Sequence, residues 1–80
     1  MRLDVSAPPE PPTDSEAWCI MVRGEPLIVW RGKDAWRAAA RSCVETRSRV
    51  PVWRAAGCEG WTLRGVLSAH EGRAVAVYAA

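Results

Sequence analysis

The stretch AWCIMVRGEPLIVWRGKDAWRAAARSCVETR, residues 17–47, decides the fold class. Its first part holds two apolar, β-prone runs, Ala17 to Arg23 and Leu27 to Arg31, separated by Gly24-Glu25-Pro26, a break of hairpin length. Its second part changes period. Gly32-Lys33-Asp34 leads into a segment rich in Ala and Arg, in which Trp36, Ala40 and Cys43, extended by Val44 and Arg47, recur at spacings of four and three. That is the stripe of a helix laid on a sheet, and Asp34 is the N-cap residue on offer. Both strand runs are apolar at consecutive positions, so the hairpin is expected to be covered on both faces or to meet another protein on one of them.

Ser48 to Ala56 (SRVPVWRAA) reads as a strand, with Pro51 near its start suggesting an edge position. Gly57-Cys58-Glu59-Gly60 reads as a tight turn. Trp61 to Ala69, His70-Glu71-Gly72 and Arg73 to Ala79 read as strand, turn and strand. Residues 61–69 also fit a short helix capped by Thr62, with Leu63, Val66, Leu67 and His70 on one face; Gly65 would weaken its centre and favours the strand. The expected architecture over residues 17–80 is therefore α+β: one α-helix packed on a small antiparallel β-sheet, in the order ββαβββ. Residues 1–16 carry Pro8, Pro9, Pro11 and Pro12 among Ser, Asp and Glu, the composition of a flexible acidic tail.

Eighty residues allow one domain, which must pack densely to hold. Five Trp, one Tyr and no Phe make the indoles its main large apolar units. The net charge of +2 divides unevenly along the chain. Residues 1–16 hold one base, Arg2, and four acids, whereas residues 17–80 hold ten bases and five acids. A basic domain attracts phosphate backbones or acidic protein patches. The start Met-Arg-Leu-Asp lacks the apolar core of a signal peptide, and no run nears the roughly 18 apolar residues of a membrane span, so a cytoplasmic protein with free thiols is expected.

Trp-Arg occurs three times, at Trp30-Arg31, Trp36-Arg37 and Trp53-Arg54. Along a strand, neighbouring side chains point to opposite faces, so a buried Trp presents the next Arg outward. The recurrence predicts a Trp core beneath an arginine surface. On the helix, Lys33, Arg37 and Arg41 are spaced by four and form a ridge about 100° around from Trp36. Such a ridge is the solvated face that any amphipathic helix requires, or a contact surface for carboxylates or phosphates.

Reactive constellations are sparse. Cys19, Cys43, Cys58 and His70 could supply four zinc ligands, but no two lie within the two-to-four-residue spacing that presets a zinc knuckle, so no metal is expected. A thiol, imidazole and carboxylate can be drawn from Cys58, His70 and Glu71, yet nothing in the sequence brings those turns together. The glycines fit neither a phosphate-binding loop nor a dinucleotide fingerprint. No cofactor and no enzymatic activity are expected.

Two binding functions follow. One is a protein-binding module, because Trp and Arg are the residue types most enriched among interface hot spots. Arg31, Lys33, Arg37, Arg41 and Arg54 are its expected contact residues, an edge strand at Val50 to Trp53 a docking place, and a homodimer its simplest form. The other is direct DNA or RNA binding, with indoles stacking on bases and Arg tracking phosphates. A compact chain with one helix on a small antiparallel sheet also resembles the small anti-CRISPR proteins of phages and mobile elements, in size and element order over residues 17–80. That resemblance implies a non-enzymatic inhibitor that binds a Cas effector subunit and blocks DNA loading or nuclease recruitment. Many such inhibitors are acidic DNA mimics, whereas this domain is basic, which directs it toward an acidic protein surface instead.

Overall fold

Five strands and one helix follow in the order β1 (Ala17–Val22), β2 (Glu25–Val29), α1 (Gly32–Thr46), β3 (Val50–Ala55), β4 (Trp61–His70) and β5 (Arg73–Ala79) in the computed structural model, which describes residues 7–10, 16–57 and 60–80. The strands form one antiparallel sheet with the spatial order β2-β1-β3-β4-β5. The fold is α+β, in the order ββαβββ that the sequence predicts, and residues 61–70 are strand. No helix among the described residues is long and apolar enough to cross a membrane.

The two terminal hairpins turn in the same way. Arg23 and Gly24 have φ of 52° and 81°, and Glu71 and Gly72 have φ of 52° and 75°. Two consecutive positive φ values match the right-handed twist of the strands they join, and glycine at the second position takes its value without a Cβ penalty. Glu25 and Pro26, expected in the first turn, instead begin β2, because Arg23 and Gly24 close the hairpin unaided.

The core lies between α1 and one face of the sheet. Ile20, Val50, Val52 and Leu67 rise from the sheet to meet Ala35, Ala39 and Cys43, all buried. The helical stripe keeps Cys43 of the expected Trp36, Ala40, Cys43 line but has Ala35 and Ala39 in place of Trp36 and Ala40. Bulk comes from the sheet, so the smallest helical residues take the closest approach. Trp36 is displaced to the flank, where Gly65 leaves room: a Cβ there would fall 2.6 Å from the Trp36 ring. Asp34 is not the N-cap. The N-cap falls three residues earlier, at extended Arg31, which has no side-chain cap; Asp34 lies in the first turn, where its charge complements the helix dipole. At the other end Arg47 closes α1 in the left-handed conformation, and Arg23 Nη2 donates to the Thr46 carbonyl at 3.3 Å.

β3 is an interior strand between β1 and β4, which overturns the edge position expected from Pro51. The proline is tolerated because β1 pairs only with Val52 to Ala55, leaving Pro51 paired with β4 alone. The second sheet face, away from α1, is apolar as well. Ala17, Cys19 and Met21 of β1, Ala55 of β3 and Val66 of β4 are buried there. β1 is thus covered on both faces, as its continuous apolar run predicts, whereas β2 is largely exposed. Residues 1–6 and 11–15 of the expected tail lie outside the described residues. Within 7–10, Pro8 is buried and Ala7, Pro9 and Glu10 are exposed.

Candidate interaction surface

Register and helical spacing place the five expected contact residues in two groups. Lys33, Arg37 and Arg41 are all exposed along the outer side of α1, and exposed Arg31 precedes them at the N-cap. Arg54 is elsewhere, on β3. Its side chain points to the α1 side of the sheet, where Trp18 is its cross-strand partner. Its Cζ lies 5.8 Å from the Trp18 ring centroid, and its Nε donates to Glu16 Oε1 at 3.1 Å. The same carboxylate oxygen accepts from Trp18 Nε1 at 3.1 Å. The hydrogen bonds from Arg54 and Trp18, reinforced by the guanidinium charge, hold the Glu16 carboxyl below the usual carboxylate range. Arg54 is therefore already engaged, while the helical ridge is open. The indole of Trp18 links the two groups: it packs on Gly32, where a Cβ would fall 2.6 Å from the ring, and meets Trp36 edge to face at 6.4 Å.

The Trp core expected from the Trp-Arg recurrence is not built. No indole belongs to the fully buried set, which consists of Ile, Val, Ala and Cys side chains. A single helix on a five-stranded sheet encloses too thin a layer for indoles, so Trp18 and Trp36 wall its flank. Trp53 does follow strand alternation, pointing to the second face while Arg54 points to the first. Trp30 escapes alternation because β2 ends at Val29, and it stands 61% exposed.

The ends of the sheet carry the features that residue spacing alone did not reveal. On β2 and just beyond it, Leu27, Ile28 and Trp30 are exposed; on β5, Val75, Val77 and Tyr78 are exposed. Each is the outermost strand of the sheet, with one side of its backbone ladder unpaired among the described residues. Both runs were visible as apolar sequence, but only the strand order identifies them as edges. A second addition is Arg64, which joins Arg54, Ala56 and Thr62 around a hollow of about 220 Å³. A larger hollow of about 380 Å³ lies between the end of α1 and the β4–β5 turn, bordered by Val44, Arg47, Ala69, Glu71 and Gly72.

Cys19 and Cys43 are buried on opposite faces of the sheet, and burial pushes both thiols above their ordinary pKa. Their Sγ atoms face the carbonyls of Ile20 at 3.6 Å and Ala40 at 3.2 Å. No group of three metal-ligating side chains occurs among the described residues. His70 ends β4 exposed, and Cys58 lies outside the described residues. Comparison with protein-family models, curated proteins and solved structures finds no match for this chain.

Proposed function

We propose that this chain is a non-enzymatic protein-binding module that docks its partner along the β2 edge. One observation carries this: a strand edge whose backbone ladder is open among the described residues, with exposed Leu27 and Ile28 and an exposed Trp30, is followed directly by exposed Arg31 and the Lys33, Arg37, Arg41 ridge. Strand addition supplies main-chain hydrogen bonds, apolar side chains supply area, and the cations select acidic side chains. The partner is accordingly an extended apolar segment flanked by carboxylates. Among known kinds of protein, the small anti-CRISPR inhibitors that the chain resembles in size and element order make a Cas effector subunit the first candidate partner.

A second reading, nucleic-acid binding, is favoured by one feature. Trp30, Arg31 and Lys33 lie together outside any strand, so an exposed indole and two cations are free of the alternation that separates such residues within β-sheet. A tagged pull-down from lysate, split into nuclease-treated and untreated halves and repeated with Trp30→Ala and Arg37→Glu/Arg41→Glu, distinguishes the two. The module predicts a partner that survives nuclease and is lost in both variants, with thermal stability unchanged. Loss of every partner on nuclease treatment transfers the surface to nucleic acid, and capture unaffected by the variants refutes the β2 edge as the site.

A further inference from the structure

Residues 7–10 meet the domain at the Trp61 indole. Trp61 Nε1 donates to the Pro9 carbonyl, and the adjacent Pro8 is buried. Trp61 pairs with Ala55 and Trp53 with Leu63, so both indoles stand on the second sheet face as diagonal neighbours across β3 and β4. Trp53 Nε1 is itself buried and has no acceptor among the described residues. The second face thus carries two flat apolar rings, each with one N–H donor, of which Trp61's has an acceptor and Trp53's, buried, has none among the described residues.

That combination suits one ligand chemistry. A proline-rich chain in the extended left-handed helix makes no internal hydrogen bonds, so its carbonyls are free to accept. Its rings are flat and apolar, and it is ordered before it binds, which lowers the entropic cost of docking. Tryptophan matches both properties, with a broad face for the ring and a donor for the carbonyl. The segment seated here is Ala7-Pro8-Pro9-Glu10, which bends at Pro9, and in the sequence Pro11-Pro12 repeats the Pro-Pro pair. The segment comes from the acidic end of the chain and the domain as a whole is basic, so long-range charge favours their meeting although the face itself is apolar.

We propose that the second sheet face reads proline-rich segments, that Pro8-Pro9 occupies it in cis, and that an acidic proline-rich segment of a partner protein exchanges with it. This surface is distinct from the β2 edge, and either can fail without the other. The cis segment rejoins the domain at Glu16 through residues 11–15, so its effective concentration is on the order of millimolar. A segment in trans must overcome that competition, which makes the face a guarded site.

The test is a titration of the ¹⁵N-labelled full chain, and of its Pro8→Ala/Pro9→Ala variant, with a synthetic peptide of residues 6–13, following the Trp61 and Trp53 indole N–H resonances. The variant is expected to shift the Trp61 indole resonance toward the free position. Added peptide then returns it toward the wild-type position, with affinity at least ~10-fold higher than for the wild-type chain. Should the double variant unfold, the wild-type chain at millimolar peptide gives an equivalent readout: the Ala7 and Glu10 amides move to random-coil positions as the peptide displaces them. A Trp61 resonance that neither the substitutions nor saturating peptide moves overturns the proposal. Sedimentation of the wild-type chain as a dimer that the substitutions dissolve also overturns the assignment to a partner, giving the face to the proline segment of a second copy.

Discussion

Gly65→Ala tests the packing of α1 on the sheet through a single atom. The new Cβ would lie 2.6 Å from Cη2 and 3.2 Å from Cζ3 of Trp36, and 3.0 Å from the carbonyl oxygen of Tyr78. The closest approach is about 1 Å inside the 3.5–4.0 Å optimum for carbon pairs. The indole must move, yet it is held edge to face against Trp18 and packed on the core; the Tyr78 carbonyl belongs to the β5 backbone. Overpacking of this kind costs about 1–3 kcal/mol. Alanine in place of glycine within a strand recovers about 0.5–1 kcal/mol of unfolded-chain entropy, leaving at the middle of these ranges a net loss of about 1 kcal/mol. For a domain of this size that lowers Tm by about 4–8 °C. Urea denaturation should show a lower midpoint at constant slope. In a Trp36→Leu background most of the penalty should vanish, because the nearest obstacle is gone while the Tyr78 carbonyl remains. A Gly65→Ala protein as stable as the parent, or equal penalties in both backgrounds, would refute this account of how the helix sits.

Three further outcomes are expected. Glu16→Gln should leave stability unchanged at low pH and lower it above the carboxylate range. The folded protein holds this carboxyl below its usual pKa, so its contribution is present above the unfolded value of about 4.3 and disappears as pH falls through the folded one; Tm measured from acid to neutral pH checks the sign. Cys19 and Cys43 should resist iodoacetamide at neutral pH in the native protein and react fully in urea, as peptide mapping by mass spectrometry would show, since both are buried with raised pKa. The same shift makes stability fall as pH rises past the ordinary thiol value of about 8.5 toward the folded one. Trp30→Ala should change stability by no more than about 0.5 kcal/mol in thermal unfolding, because the ring is mostly exposed.

The positions of the elements were legible because hydrophobic period and turn residues act locally. Every strand and the helix fall where periodicity and glycine place them, within a few residues. What escaped was long-range. Pro51 signalled a missing ladder bond but not where along β3 it falls, and an interior strand with one unpaired end satisfies proline as well as an edge does. The Trp-Arg pairs fixed relative orientation within strands, yet β1 is apolar at every position, so alternation could not say which face α1 covers. The Lys33, Arg37, Arg41 ridge needed only helical spacing and stands exposed as expected, whereas the engagement of Arg54 by Glu16 and Trp18 depends on a strand pairing across residues 18 and 54. The exposed apolar edges became visible only once the strand order was known.

That strand order also has a kinetic meaning. β1 is hydrogen-bonded to β2, its immediate successor, and β3, β4 and β5 form a meander of successive hairpins; among the described residues the sole pairing between strands distant in sequence joins Ala17–Ile20 to Val52–Ala55. The molecule is therefore two locally folded halves stitched along four residue pairs. Each half can zip without closing a long loop, while the stitch must wait for residues 21–51 to be gathered in. Substitutions along that stitch should slow folding, and substitutions in the outer hairpins should mainly hasten unfolding. Cutting the chain in the short link between α1 and β3 would leave two pieces that share, among the described residues, this one ladder, joined besides by the grip of α1 on the meander.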